Sequence, residues 1–195
     1  MEKYLSRIKD LYSKMDRAYE EVASKYNFSC RGCGENCCTQ RFHHHTLAEY
    51  LYLSEGLKRA EYELIGRILT RARIVVGSCM KEAEIGGVLP LMCPVNEGGL
   101  CALYEWRPMI CRMHGLPHSF RKPDGERVYA GGCNMLSAQS KNPSEKLRVD
   151  RTPFYGELAE IEKELRLKLG YRGRYKKTTA EMLMDIASEM EGGEG

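Results

Sequence analysis

The sequence predicts a mainly α-helical fold in which helices surround an irregular, cysteine-rich centre and one small β-hairpin. Three observations predict it. Apolar residues recur at helical spacing in several long stretches, eight of the nine cysteines lie in the segments between them, and one short segment has a hairpin pattern. We divide the chain into an N-terminal amphipathic helix at 1–27, a cysteine-cluster domain at 28–135 and C-terminal helices at 136–195, which pack on or extend the same domain.

Composition limits the class of protein. With 43% hydrophobic and 29% charged residues, the chain can bury a core and is not disordered throughout. A net charge of +3 is too small to predict a nucleic-acid partner. The N-terminus lacks the apolar core of a secretory signal, and no run of about 18 apolar residues predicts a membrane span. We therefore expect a cytoplasmic protein with no membrane partner.

The N-terminal segment has the pattern of one amphipathic helix from residue 2 to about residue 26. Leu5, Tyr12, Tyr19 and Tyr26 recur every seven residues, and apolar neighbours fill the positions three and four residues away. The expected role is packing on the domain core. A dimerising coiled coil would require the apolar seam to persist over at least three heptads, which this segment barely reaches.

The segment between the cysteine-rich stretches predicts two helices. Thr46 and Glu49 have capping-box spacing and predict a helix to about Ser54. A longer helix is predicted from 58 to 76, with a continuation to Ile85 that Gly77 could break. This helix is predicted to carry Tyr62, Ile65, Leu69 and Ile74 on one side.

Three consecutive histidines, His43, His44 and His45, precede these helices. Their side chains cannot all point at one ion, so one or two of them at most could join a metal site. The alternative interpretation is a polar loop.

The second cysteine-rich stretch predicts a short helix after Pro108, which suits a first helical position. Cys111 would then lie in the first turn, where the helix dipole favours a thiolate. Arg107 and Arg112 flank it and would offset the negative charge of a thiolate cluster.

The remainder predicts a hairpin and two more helices. Residues 119–130 have a hairpin pattern that turns at Pro123-Asp124-Gly125. Residues 137–151 are polar and irregular, and a helix follows from 152 to about 169, with Gly170 as its stop. The predicted inward residues of this helix are Leu158, Ile161, Leu165 and Leu169. The basic segment 171–177 is interpreted as a solvated linker, and residues 178–181 cap a last short helix.

Eight cysteines form the candidate metal site. Four lie in one stretch and four come singly later in the chain: Cys30, Cys33, Cys37, Cys38, Cys93, Cys101, Cys111 and Cys133. Eight thiolates match two four-thiolate sites, or one site of four to six ligands with a reactive remainder. Because adjacent side chains diverge, the Cys37–Cys38 pair favours two sites, or one ligand beside a reactive thiol. Cys79 is interpreted as a buried small hydrophobic residue.

An odd number of cysteines and an adjacent pair argue against a disulfide framework in a reducing compartment. Thiolates select zinc, copper(I) or iron–sulfur clusters and exclude magnesium and calcium. Ligation by cysteine alone, without paired knuckles in the second stretch, favours an iron–sulfur cluster over Zn2+. Glu35, His114 and His118 are further candidates as ligands or acid–base groups, although such residues are more often solvent-facing or structural.

Three functions remain open at this point. The first is a redox or metalloenzyme-accessory protein that holds an iron–sulfur cluster. The second is a structural zinc module that presents its helices to a protein partner. The third is a metal-dependent enzyme, for which no catalytic residue and no cofactor site separate from the metal site is assigned.

One ordered pattern carries a family resemblance. It comprises the first four cysteines, Cys93-Pro94, Cys101-Ala-Leu-Tyr104 and Arg107-Pro108-Met-Ile-Cys111-Arg112. This pattern resembles the YkgJ-type CxxCxxCC family of zinc- or iron-chelating cysteine-cluster domains over about residues 28–115, with Cys133 as an extension. Three residues instead of two precede the vicinal pair here. The resemblance implies a metal site and leaves the activity open; the family includes larger flagellin lysine N-methylases, which suggests the enzyme alternative.

Overall fold

The computed structural model describes residues 1–30, 37–85, 91–140 and 147–192. These residues are mainly helical, which confirms the predicted fold class. Their α-helices are α1 (Glu2–Tyr26), α2 (Leu47–Lys58), α3 (Tyr62–Ile85), α4 (Met109–Met113), α5 (Asn134–Gln139), α6 (Thr152–Leu169) and α7 (Thr179–Gly192). Two 3-10 turns cover Cys37–Thr39 and Tyr104–Trp106.

Short strands connect the helices. They are β1 (His43–His44), β2 (Asn96–Glu97), β3 (Leu100–Cys101), β4 (His118–Arg121), β5 (Arg127–Ala130), β6 (Val149–Asp150) and β7 (Lys177–Thr178). β1 pairs antiparallel with β7, β2 with β3, and β4 with β5, while β6 joins β4 in parallel. The β4–β5 pair is the predicted hairpin, with Gly125 at φ 91° in its turn.

The chain divides into two compact units, and each is discontinuous. The first unit combines Met1–Cys37 with Met109–Arg172. The second combines Cys38–Pro108 with Gly173–Gly195.

The first unit is built on α1, which packs against α6 and α4. The periodicity of α1 predicts its buried side, where Ile8, Leu11 and Met15 are fully enclosed. The helix ends at Asn27, whose φ of 51° is the left-handed conformation common at helix C-termini. On α6, Ile161 and Leu165 are buried as predicted. Leu169, predicted to face inward, is exposed in the last turn.

The second unit is built on α3 and α7, with α2 also against α7. Of the four apolar residues predicted on one side of α3, Ile65 and Leu69 are half-buried, whereas Tyr62 is 90% exposed and Ile74 is 61% exposed. Helix α3 instead buries Ile68 and Ala72. Tyr62 and Ile74 each lie about 120° of helical rotation from Ile68, so they cannot share its packed face. The helix runs through Gly77 without a break.

Both predicted capping boxes form. The Glu49 amide donates to the Thr46 hydroxyl over 3.1 Å, and the Glu181 amide donates to the Thr178 hydroxyl over 3.3 Å. Each Thr-Glu pair thereby satisfies amide groups that a helix N-terminus otherwise leaves without a partner. The helices that follow, α2 and α7, begin where these signals predict.

Two other expectations need correction. The stretch 137–151, predicted irregular, contains the end of α5 and all of β6, while 141–146 lies outside the described residues. The histidine run, one interpretation of which was a polar loop, contributes β1, and His44 is buried there. Across the described ranges, no helix combines the length and apolarity needed to cross a bilayer.

Candidate metal centre

A cleft in the second unit is lined by three thiols. Cys38 enters it from the 3-10 turn, Cys79 from α3, and Cys93 from the segment before β2. The thioether of Met92 and the ring of Phe42 also line it. Cys38 is buried and the other two thiols are half-buried. The cleft thus offers sulfur donors, which soft metal ions prefer.

One backbone hydrogen bond joins the two cysteine-rich stretches at this cleft. The Cys93 amide donates to the Cys38 carbonyl over 2.8 Å. In the sequence, helices α2 and α3 lie between these two residues. The hydrogen bond shows that their backbones are nevertheless in direct contact. Pro94 follows Cys93 and also lines the cleft.

The β2–β3 hairpin links Cys93 to Cys101. The Asn96 amide donates to the Cys93 carbonyl over 3.0 Å, and Asn96 lies opposite Cys101 in the strand register. Gly98 and Gly99, with φ of 57° and 90°, supply the turn between the strands. The sequence did not predict this hairpin, because two-residue strands carry too little alternation to be recognised.

Cys30 and Cys133 approach a common neighbourhood in the first unit. The Tyr19 hydroxyl lies 3.5 Å from the Cys30 Sγ. Gly115 is close to the same hydroxyl, since a Cβ placed on it would lie 3.3 Å away. The Cys133 amide donates to the Gly115 carbonyl over 3.0 Å. Tyr19 and Gly115 therefore connect the two cysteines.

Cys111 lies in the first turn of α4, as predicted. The neighbouring Arg112 is buried; its Nη1 lies 2.6 Å from the Asp16 Oδ2, and its guanidinium lies 4.3 Å from the centre of the Tyr12 ring. These contacts fasten α4 to α1. The sequence predicted that the positive charge of Arg112 would offset a thiolate cluster. Asp16 therefore neutralises at least part of that positive charge.

The predicted ligands divide between the two units. Cys30, Cys37, Cys111 and Cys133 belong to the first unit, and Cys38, Cys93 and Cys101 to the second. Cys33 and the further candidate Glu35 lie outside the described residues. Among the residues that are described, no group of three or more cysteine, histidine or acidic side chains is arranged to hold a metal ion. The donor chemistry therefore fits a thiophilic metal, while the ligand set stays a prediction.

Cys79 is the residue that sequence reasoning missed. It was interpreted as a buried hydrophobic residue without a cysteine neighbour, yet it is half-buried and lines the cleft with Cys38 and Cys93. Val75, one turn earlier on α3, lines the same cleft. Helical spacing could indicate that Val75 and Cys79 share a face, but no sequence pattern indicates what that face meets.

His44 is held by polar groups of the second unit. Its Nε2 lies 3.0 Å from the Thr179 hydroxyl, and its Nδ1 lies 3.6 Å from the Glu49 Oε1. Both ring nitrogens therefore face protein groups that tie β1 to α7 and α2. This environment favours a structural role for His44 over the role of a metal ligand.

His114 and His118 are partly buried in the first unit beside Arg151. Burial, with a smaller contribution from the Arg151 charge, lowers the pKa of His114 and lowers the pKa of His118 to about 4. Both rings are consequently neutral at pH 7, the form in which imidazole binds metals. The His118 Nδ1 lies 3.3 Å from the Leu116 carbonyl oxygen.

The pKa of His118 predicts a pH-dependent stability. Because the folded pKa is about 4 and the unfolded value is about 6.5, the unfolded chain binds the extra proton first as the pH falls. The contribution of His118 to stability is therefore present above pH 6.5 and is lost as the pH falls towards 4. Allowing for its partial exposure, we expect a loss of about 1 kcal/mol between pH 7 and pH 5.

Urea unfolding at pH 7 and pH 5 measures this effect, with His118→Asn as the comparison. The variant should lose about 1 kcal/mol less than the wild type between the two pH values. Equal losses in both proteins would show that another group causes the pH dependence.

No family model matches the chain, and no curated protein and no solved structure was found to match it significantly. The resemblance to the cysteine-cluster family stays a prediction that depends on the motif residues alone.

Proposed function

We propose that the chain holds an iron–sulfur cluster through its clustered cysteines and has a redox or metalloenzyme-accessory function. The observation that carries the proposal is the hydrogen bond from the Cys93 amide to the Cys38 carbonyl. It brings together two cysteine-rich stretches that are far apart in the sequence. A site assembled from distant stretches requires such a contact.

The chemistry of the donors supports the same proposal. Four sulfur-containing residues, Cys38, Cys79, Met92 and Cys93, line the cleft, and the β2–β3 hairpin tethers Cys101 close by in the chain. An iron–sulfur cluster, when bound by thiolates, supplies electron-transfer chemistry whose potential depends on hydrogen bonds to sulfur and on exposure. The residues that would hold it are the eight predicted cysteines.

Metal analysis of protein produced anaerobically with ample iron tests the proposal. The expected protein is brown, with iron and acid-labile sulfide in equal, stoichiometric amounts. A colourless protein with stoichiometric zinc would contradict the iron–sulfur cluster and favour the structural zinc module. A protein that contains neither metal would remove the metal function altogether.

Serine substitutions test which cysteines participate. We expect Cys38→Ser and Cys93→Ser to weaken metal binding by about tenfold or more, since even residues outside the ligand shell have effects of that size. Cys79→Ser is the matched control, because Cys79 lines the same cleft but is not among the predicted ligands. An equal loss of metal in all three variants would assign Cys79 to the ligand set.

The enzyme alternative predicts a different outcome. A variant that retains its metal but loses a measured methyl-transfer or other activity would indicate a reactive thiol beside the site. Cys38→Ser is the variant to compare, because this cysteine belongs to the vicinal pair and also lines the cleft.

A further inference from the structure

The backbone contact between Cys38 and Cys93 limits how far apart the two residues can be. A carbonyl oxygen lies about 2.4 Å from its own Cα, and an amide nitrogen lies about 1.5 Å from its Cα. With a hydrogen bond of 2.8 Å between them, the two Cα atoms are at most about 6.7 Å apart. Disulfides join cysteines whose Cα atoms are about 4.4–6.8 Å apart, so this pair does not exceed the upper limit of the permitted range.

The position of the two residues also suits a bond. A disulfide requires two cysteines that border a common space. Cys38 and Cys93 both line one cleft. Two cysteines held at this separation can be oxidised to a disulfide.

From these observations we infer that Cys38 and Cys93 are a reversible dithiol–disulfide pair that reacts with small disulfides such as oxidised glutathione. This redox site goes beyond the proposed metal function and does not depend on it. The bond would close a loop that contains α2 and α3, the helices that separate the two residues.

The difference in burial between the two cysteines determines which of them reacts first with oxidised glutathione. Cys93 is half-buried and Cys38 is buried, so the Cys93 thiolate attacks a sulfur of oxidised glutathione and forms a mixed disulfide, while one glutathione leaves as the thiolate. The Cys38 thiolate then attacks the Cys93 sulfur and displaces the second glutathione. The protein loses two electrons and two protons, and one oxidised glutathione becomes two reduced glutathiones.

Cys79 is the competing thiol in the cleft. It is half-buried and could also attack a mixed disulfide on Cys93. The backbone hydrogen bond fixes Cys38 beside Cys93, whereas Cys79 reaches the cleft from α3. The inference therefore requires the Cys38–Cys93 product to dominate.

The test uses the full chain, treated with chelator under anaerobic conditions and then equilibrated in glutathione buffers of increasing oxidised fraction. Acid quenching, alkylation and digestion are followed by mass spectrometry. The expected result is the loss of two alkylatable thiols per chain, with tandem fragmentation of the wild-type peptides locating the link at Cys38 and Cys93. Addition of dithiothreitol should restore both thiols.

Matched variants make the assignment independent of fragmentation. Cys38→Ser and Cys93→Ser should each abolish the link, while Cys37→Ser, which removes the neighbouring thiol, and Cys79→Ser should retain it. A dominant link to Cys79, or retention of every thiol in the most oxidising buffer, would overturn the inference. Because the metal has been removed, either outcome is independent of whether the proposed cluster exists.

Discussion

Gly56→Ala is expected to destabilise the second unit by about 2 kcal/mol, although alanine is normally the better helix former. Gly56 is buried in the last turn of α2, and a Cβ added there would clash with the Cγ and Cβ atoms of Trp106. These atoms are close to the backbone of the 3-10 turn, so the turn itself must move. Overpacking of this kind costs about 1–3 kcal/mol or more, against a gain in helix propensity of at most about 1 kcal/mol.

The neighbours of Trp106 restrict how far its indole ring can move. Its ring lies 4.9 Å from the Tyr52 ring, and the Arg59 guanidinium lies 5.6 Å from its centre. Movement of the indole would therefore weaken an aromatic contact and a cation–π contact on α2.

Gly66→Ala in α3 is the matched control. A Cβ on Gly66 has no atom within 4 Å, so alanine should stabilise the helix by about 0.5–1 kcal/mol. Urea unfolding followed by circular dichroism measures both variants. Trp106, the single tryptophan, reports the second unit by its fluorescence. If Gly56→Ala were as stable as Gly66→Ala, the close contact between α2 and Trp106 would be disproved.

Glu49→Ala is expected to lower the free energy of unfolding by about 3 kcal/mol, because it removes a buried carboxylate that three groups contact. The Thr46 hydroxyl donates to the Glu49 Oε2 over 2.8 Å and the His45 amide donates to it over 3.2 Å. The His44 Nδ1 lies 3.6 Å from the other oxygen. Loss of the carboxylate leaves two part-buried donors without this acceptor and removes the charged group beside the buried His44 ring, which is more costly than the loss of an exposed hydrogen bond.

The second capping box provides the control. Glu181 accepts hydrogen bonds from the Thr178 amide and hydroxyl over 2.6 and 2.8 Å, but it is exposed. Glu181→Ala should therefore cost only about 1 kcal/mol, the usual cost of losing a cap. Equal costs for Glu49→Ala and Glu181→Ala would mean that burial contributes nothing to the first box.

The acid sensitivity of Glu49 can be tested separately with Glu49→Gln. Burial raises the pKa of Glu49, but its attraction to His44 and its hydrogen bonds from Thr46 and His45 outweigh burial and hold that pKa below the ordinary value of 4.5. Its stabilisation is therefore present above pH 4.5 and is lost as the pH falls through the lower folded pKa. Glutamine, which does not titrate, should remove this part of the acid-induced loss of stability.

Local sequence signals predicted where α1 and α6 begin and end, whereas α2 continues to Lys58, beyond its predicted end at about Ser54. Apolar periodicity marked α1 and α6 from end to end, and Gly170 at φ 63° ends α6 as predicted. Capping boxes work because their partners are three residues apart, so the sequence contains the whole interaction. The β4–β5 hairpin was predicted for the same reason, since its turn residues determine its geometry.

Interactions between distant residues were harder to predict. The pairing of β1 with β7 joins His43 to Thr178 and His44 to Lys177, and two-residue strands have no readable periodicity. The side of α3 that is buried depends on where α7 lies, which the α3 sequence does not encode. For the candidate site, the motif predicted that the Cys38 and Cys93 stretches belong together, but the contribution of Cys79 to their cleft depends on tertiary packing alone.

The interleaving of the two units has a consequence for the order of folding during synthesis. The first unit contains all its residues once Arg172 has been made, whereas the second begins at Cys38 and still needs the segment after Gly173. Until that segment emerges from the ribosome, β1 lacks its partner strand and the Ile68 side of α3 lacks α7. Contacts between residues far apart in sequence cannot form before both are available. The unit that carries Cys38 and Cys93 is therefore completed last, and a nascent chain released before α7 would expose its thiols and the apolar side of α3 together.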